Sequence, residues 1–456
     1  TSKPDLPSQE EVAEKLSKAV PPARLSLLHA LASEADKVNV PIFVVGGFVR
    51  DLLLDRPSLD FDIVVEGDAI FFANRLAEKF GGRVITHQRF GTAKWTIDAV
   101  NQEVIAALNL SGEVDPQQLP GSLDLITART EFYEQPAALP TVESSSIKMD
   151  LHRRDFTINT LALRLDGEHY GKIYDYWGGL RDLRKGRIRV LHALSFVDDA
   201  TRLLRAVRFE QRSNLQLESW SGALMEESLP LLNKLTGARI RHEINLILAE
   251  PKAAHMLSRL DDLNILKTIH PALPWDEQLK ENLSHLDVKD IDPFWNLPVQ
   301  ADHLDLQQTL SYLLWLGGLP QMTLRSITSR LRFKSDLKQL LIATSKLNRS
   351  LPGLADASAS AVVHELENAP RLAIYAVYLE NPDPELRQLL RMYVREWAAV
   401  EPVTTGDDLR KIGLRPSPAY GQILSALRDA WLDGEIESFE EEKALLAELV
   451  AEVGEE

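Results

Sequence analysis

Cysteine is absent from the 456 residues, which excludes disulfides and thiolate-bound zinc. No uninterrupted apolar run reaches the length needed to span a bilayer. The N-terminal stretch shows no basic, apolar, small-residue leader. These absences point to a cytoplasmic protein with no membrane partner. Positive charge is also scarce overall, with 51 Lys and Arg against 67 Asp and Glu and a net charge of −16. That balance argues against indiscriminate adhesion to nucleic acid, but specific binding depends on local fields rather than net charge. Basic residues are in fact concentrated locally. From Leu180 to Arg212, nine Lys or Arg face four acids, a local excess of five. Much of the acid lies further on, for example between Glu435 and Glu442.

An apolar content of 45% and a charged content of 26% are ordinary for a globular chain, and the length implies roughly three domains. Residues 1–38 read as amphipathic helix broken at Pro21-Pro22. Pro41 to Val45 and Leu59 to Val65 read as strands. A helix is predicted over Ala69–Phe80, with Asp68 as N-cap and Gly81-Gly82 as its stop. Val84–Thr86, Lys94–Val100 and Leu123–Ala128 read as further strands. Beyond Gly179 the chain reads as almost entirely helical, with leucine recurring at helical spacing from Val197 to the end. The predicted class is therefore α+β, an α/β head followed by an all-helical remainder.

Five segments carry chemistry. Gly46-Gly47-Phe48-Val49-Arg50-Asp51 follows a strand and opens a helix. Paired glycines admit a phosphate close to the backbone, helix-start N–H groups favour an anion, and Arg50 offers a bidentate fork. In Asp60-Phe61-Asp62 the carboxylates share one face of a strand. Their repulsion is relieved by a cation, and hard oxygen donors suit Mg²⁺ held jointly with substrate phosphates. Asp124, on a predicted neighbouring strand, is a candidate third carboxylate. In Arg153-Arg154-Asp155 one arginine is expected to face a nucleotide, and Arg154 is favoured. In Asp198-Asp199-Ala200-Thr201-Arg202, helical spacing groups Asp199, Arg202, Arg205 and Arg208 on one half of the circumference, with Leu203, Leu204 and Val207 on the other. Asp and Arg can hydrogen-bond the Watson–Crick edge of a base. Each segment alone also has a plainer reading: a tight turn, strand-end aspartates, a helix cap, or a solvated ion pair.

In this order the five segments resemble the class II tRNA nucleotidyltransferases, which include CCA-adding enzymes and bacterial poly(A) polymerases. The likeness is dense from about Pro41 to Arg212 and looser beyond. It implies a polymerase β-like nucleotidyltransferase head with a mixed sheet, then neck, body and tail made of helices. The corresponding division is an extension over 1–38, head over 39–165, neck over 166–250, body over 251–350 and tail over 351–456. By resemblance Gly46, Gly47, Arg50 and Arg154 hold the incoming nucleotide, and Asp60 and Asp62 bind Mg²⁺. Tyr133 to Asp150 falls where the family has a flexible loop. Asp199 and Arg202 act as an amino-acid template for CTP and ATP, joined by Arg205 and Arg208. The implied partner is tRNA; no protein partner is predicted. The family's template motif usually begins Glu-Asp, whereas here it begins Asp198-Asp199, so base choice is less well defined than catalysis. The alternatives are CCA addition, specialised A- or CC-addition, and poly(A) synthesis. An inactive RNA-binding protein on this fold would be expected to have lost a metal aspartate or Arg50.

Overall fold

The computed structural model describes residues 6–56, 61–97, 115–132, 141–298, 300–301 and 303–455. They fall into two compact units, Thr1–Leu235 and Thr236–Glu456. Among the described residues no helix is long and apolar enough to cross a membrane.

The first unit opens with two helices, α1 (Gln9–Ala19) and α2 (Pro22–Lys37). Pro22 occupies the first turn of α2, where a missing N–H leaves no bond unmade. Leu27, Leu28 and Leu31 of α2 are fully buried. Glu34, 1% exposed, is gripped by Lys37, Arg75 and Lys79. Burial alone would raise its carboxyl, but Lys37 and Lys79 hold it at about 2. This network ties α2 to α4 (Ala69–Phe80). That helix has the predicted bounds, and the Asp68 carboxylate accepts from the N–H groups of Ile70 and Phe71.

Among the described residues nine strands follow one another through the head: β1 (Ile42–Val45), β2 (Ile63–Val65), β3 (Arg83–His87), β4 (Thr92–Thr96), β5 (Ser122–Thr127), β6 (Arg129–Phe132), β7 (Thr141–Ser144), β8 (Ala162–Arg164) and β9 (Ile173–Tyr174). Seven form one mixed sheet in the order β3-β4-β5-β2-β1-β8-β9, while β6 and β7 form a separate hairpin. Within the sheet β2 runs parallel to β5, and the other neighbours are antiparallel. Strand β2 starts at Ile63 rather than Leu59, and Asp60 lies outside the described residues. The interval Tyr133–Asp150 is described from residue 141 onward, as β7 and helix α5 (Ile147–His152). One face of the sheet buries Phe43, Val45, Val64 and Ala162 against Ile147 and Leu151 of α5.

Helix α6 (Ser195–Asp198) is a single turn, followed by α7 (Arg202–Ser213). Besides Leu203, Leu204 and Val207, α7 also buries Arg202 and Arg208. The half of the helix that spacing marks as polar is therefore largely packed rather than solvated.

The second unit is almost entirely helical. Gly237 sits where an added Cβ would meet the Arg330 carbonyl oxygen at 1.9 Å, so the two backbones cross closely there. Near the C-terminus Leu409, Ile423 and Leu427 form a core with Leu445, Leu446 and Leu449.

Candidate active site

Strand β1 delivers the chain to Gly46, whose φ of +72° is accessible mainly to glycine. A Cβ on Gly46 would stand 2.9 Å from Arg154 Nη1, so the glycine also makes room for that arginine. Helix α3 (Gly47–Leu53) then places Arg50, only 2% exposed, at a cavity wall. Its Nε and Nη2 donate to the two oxygens of Asp51 at 2.8 and 2.9 Å, and Nη1 donates to Asn159 Oδ1 at 2.9 Å. The bidentate face that the sequence suggested for phosphate is engaged by Asp51 in this structure.

Fully buried Asp150, in α5, organises the next group. Its Oδ1 accepts from Arg153 Nε and Nη2 at 3.0 and 2.8 Å, and its Oδ2 from Arg154 Nη2 at 3.1 Å. Burial would raise this carboxyl, but Arg154 and Arg153 bring it below the usual aspartate range. Both arginines line the cavity, not Arg154 alone. A shared carboxylate has turned two sequence neighbours toward the same space.

Asp155 is a third anchor. It accepts from Arg205 Nε and Nη2 at 2.9 and 2.5 Å and from Asn159 Nδ2 at 2.9 Å. Against the effect of burial, Arg205 and Asn159 hold its carboxyl at about 2. The guanidinium groups of Arg50, Arg205 and Arg208 lie 5.3, 5.5 and 5.3 Å from the centre of the Phe209 ring, within cation–π range.

Asp199 and Arg202 meet at the same cavity from different elements. Asp199 caps the one-turn helix α6 and accepts from the Thr201 N–H and hydroxyl at 2.9 and 2.7 Å. Arg202 begins α7. Its Nη1 donates to Ser195 Oγ and O at 2.7 and 3.1 Å, and its Nη2 to the Arg153 carbonyl at 2.7 Å. Asp198 faces His192 at 3.7 Å.

The resulting cavity is about 460 Å³, of nucleotide size, and all its lining residues belong to the first unit. Gly46, Gly47, Arg50, Asp62, Arg154, Asp199, Arg202 and Arg205 all line it. Among the described residues, six arginines meet three aspartates on its wall, which favours a polyanion. Arg208 lies outside this wall and lines an adjoining cavity with Arg212, Phe61 and Asp62. Asp124 faces Lys94 across strands at 3.7 Å. In the parallel β2–β5 register Ile63 partners Leu125, which puts Asp124 alongside Asp62. Among the described residues no three acidic or histidine groups cluster as a metal cage. Asp62 presents an exposed hard oxygen donor at the cavity, which fits a cation completed by substrate phosphates.

Sequence reasoning passed over Asp51, Asp150, Asn159, Ser195 and Phe209 as site residues. Asp150 lies three and four residues before Arg153 and Arg154, a helical spacing that could have revealed it. The contact of Arg202 with Ser195 had no comparable signal, because it depends on the turn between α6 and α7.

Residues 42–189 match the Poly A polymerase head domain, and residues 214–276 match the probable RNA and SrmB-binding site of polymerase A. The chain is 34% identical over 452 residues to the A-adding tRNA nucleotidyltransferase of Geobacter sulfurreducens, covering 97% of this chain. It spans about half, 49%, of that relative's length. It is 31% identical to the A-adding tRNA nucleotidyltransferase of Halalkalibacterium halodurans, covering 91% of this chain and 90% of the relative. Among solved structures it is similar to the apo form of a CCA-adding enzyme, with 31% identity, 97% and 98% coverage of the two chains and a TM-score of 0.78. It is also similar to the Thermotoga maritima CCA-adding enzyme complexed with tRNA, with 29% identity, 97% and 98% coverage and a TM-score of 0.72.

Proposed function

The chain belongs to the tRNA nucleotidyltransferase family, and on that footing we propose that it extends the 3′ end of tRNA from ATP, or from CTP and ATP, in the cytoplasm. The observation that carries this reading is the arginine-walled cavity in which Asp62, Asp199 and Arg202 converge. In the proposal, Arg153, Arg154 and Arg205 receive the triphosphate while Gly46 and Gly47 allow its close approach. Arg50, locked to Asp51, contributes fixed positive charge. Asp199 and Arg202 meet the base edge. The tRNA 3′ oxygen bonds to the α-phosphorus as the bond to the bridging oxygen breaks and pyrophosphate leaves. Asp62, with Asp60, holds the divalent cation, for which Mg²⁺ suits the oxygen donors. Bound there, such a cation would lower the pKa of the attacking hydroxyl and offset phosphate charge. Asp124 stands beside Asp62 as a further carboxylate, and Arg208 supplies charge in the adjoining cavity. Residues 166–250, 251–350 and 351–456, as neck, body and tail, hold the tRNA.

Addition of the terminal A alone is the sharper of the two activities, because the relatives of 34% and 31% identity are A-adding enzymes. The test supplies Mg²⁺ and single or mixed nucleotides with tRNAs ending before CCA and after CC. Addition of A only, and only to the CC-ended tRNA, establishes the specialist. Full CCA on the shorter tRNA establishes the complete enzyme, and no addition to either rejects the proposal. Asp62→Ala should abolish addition while retaining tRNA binding, and unchanged turnover would remove Asp62 from the chemistry.

A further inference from the structure

Behind the base-reading arginine lies a second, smaller cavity of about 190 Å³. Arg153 and Arg202 form a wall common to both cavities, and the far side carries His152, His192 and Asp198. His192 contacts Ser195, His152 and Asp198, which surround the residues that hold Arg202. Its carbonyl accepts from the Ser195 N–H at 3.1 Å, and Ser195 supplies two of the acceptors for Arg202 Nη1. Its ring lies against His152 with centroids 5.4 Å apart, and His152 in turn lies against Trp177 at 4.5 Å. His152 immediately precedes Arg153, whose carbonyl receives Arg202 Nη2. Finally, His192 Nε2 faces Asp198 at 3.7 Å, next to Asp199.

We propose that His192 is a positioning residue for Arg202, and that through this arginine it sets the enzyme's preference among nucleotides. The inference rests on the reading above in which Arg202 meets the base edge. It also gives Asp198 a place: the residue that departs from the family's usual glutamate supports the histidine behind the template rather than the arginine itself.

The charge of His192 provides the readout. The groups facing it are Asp198, Arg202 and His152. Burial lowers its pKa from the ordinary 6.5; Asp198 opposes this, while Arg202 and His152 reinforce it. The imidazole is therefore neutral at neutral pH and gains a proton only on acidification. That proton places a second cation beside Arg202 and draws Asp198 inward, disturbing the alignment of the base edge.

The experiment measures kcat/KM for ATP and for CTP on a CC-ended tRNA, from about pH 8 down to about pH 5, reaching below the ordinary histidine range because the pKa of His192 is lowered. It compares wild type, His192→Ala and His192→Phe. His192→Phe retains a ring against His152 but cannot take a proton. The wild-type preference for ATP should change as His192 protonates. His192→Ala keeps the backbone carbonyl but removes the ring against His152, and should lose about fivefold of that preference at pH 8, the size of one aromatic pair. His192→Phe should keep most of the preference at pH 8 and lose its pH dependence. Equilibrium binding of ATP and CTP, with thermal melts, separates misfolding from altered selection. A wild-type preference that persists unchanged in both variants, with the same pH profile, overturns the role of His192 alone. A wild-type protein that neither binds nor adds nucleotides overturns the functional reading beneath it.

Discussion

Arginines around the cavity owe their orientation to carboxylates behind them: Arg50 to Asp51, Arg153 and Arg154 to Asp150, and Arg205 to Asp155. Removing one partner of a buried pair leaves the other charge uncompensated. Because Arg205 keeps some access to water, Asp155→Ala should cost about 1–3 kcal/mol in denaturant unfolding, beyond its effect on nucleotide binding. The carboxyl of Asp155 lies at about 2 against an ordinary 3.8. Its contribution is thus fully present above 3.8 and is lost as pH falls through about 2, a dependence that Asp155→Ala should remove from the acid limb. Gly46→Ala tests the other constraint at this scale. At φ +72° and ψ −126° a side chain costs about 1–3 kcal/mol of strain, and the new methyl must displace Arg154. The KM for nucleotide should rise, and rise less in an Arg154→Ala background; equal increases in both backgrounds would separate Gly46 from that arginine. That Gly46, Gly47, Arg50 and Arg154 belong together was legible from residue order, and they line one cavity. Their carboxylate partners were not, because hydrogen-bond assignment needs side-chain directions.

At the scale of elements, agreement is best where a local signal ends the element. Helix α4 has the predicted bounds because Asp68 caps it and Gly81, at φ +78°, stops it. Helix α7 differs from expectation in environment rather than existence. Its arginine-bearing face meets Ser195, the Arg153 carbonyl and Asp155, partners that no periodicity encodes. The C-terminal helix Phe439–Glu455 is pinned by one fully buried carboxylate. Glu442 accepts from the N–H groups of Val403 and Thr404, the Thr404 hydroxyl and Trp431 Nε1. Glu442→Ala should cost about 2–4 kcal/mol by leaving these donors unsatisfied. Hydrogen exchange should quicken through that helix while nucleotide affinity stays unchanged. Unaltered exchange would show that the apolar contacts of Leu445, Leu446 and Leu449 suffice.

For the molecule as a whole, a net charge of −16 coexists with an arginine-walled cavity, so its electrostatics are local. The two units also respond to pH through different groups. In the second, withdrawal from water pushes Glu380 up to about 7, only partly offset by its hydrogen bond from Asn348. The raised pKa means its contribution is fully present below the ordinary 4.5 and is lost as pH rises through about 7. Between pH 5 and pH 8, Glu380→Gln should flatten the decline in stability by about 1–2 kcal/mol after allowance for screening; a parallel decline in variant and wild type would remove Glu380 as its source. Residue order by itself pointed to the chemistry: the paired glycines, the Asp60-Phe61-Asp62 motif and the Asp198 to Arg208 series, taken in that order, resemble a nucleotidyltransferase, because residue types and spacings are local properties. It likewise determined the change from mixed sheet to helices, since each element carries its own periodicity and caps. The tertiary structure decided which charges confront one another. Only folding brings Asn159 to Arg50, 109 residues away in sequence, or sets the Arg153 carbonyl against Arg202. Such pairings depend on the convergence of separate elements, and that convergence comes from packing against a common core rather than from any local signal.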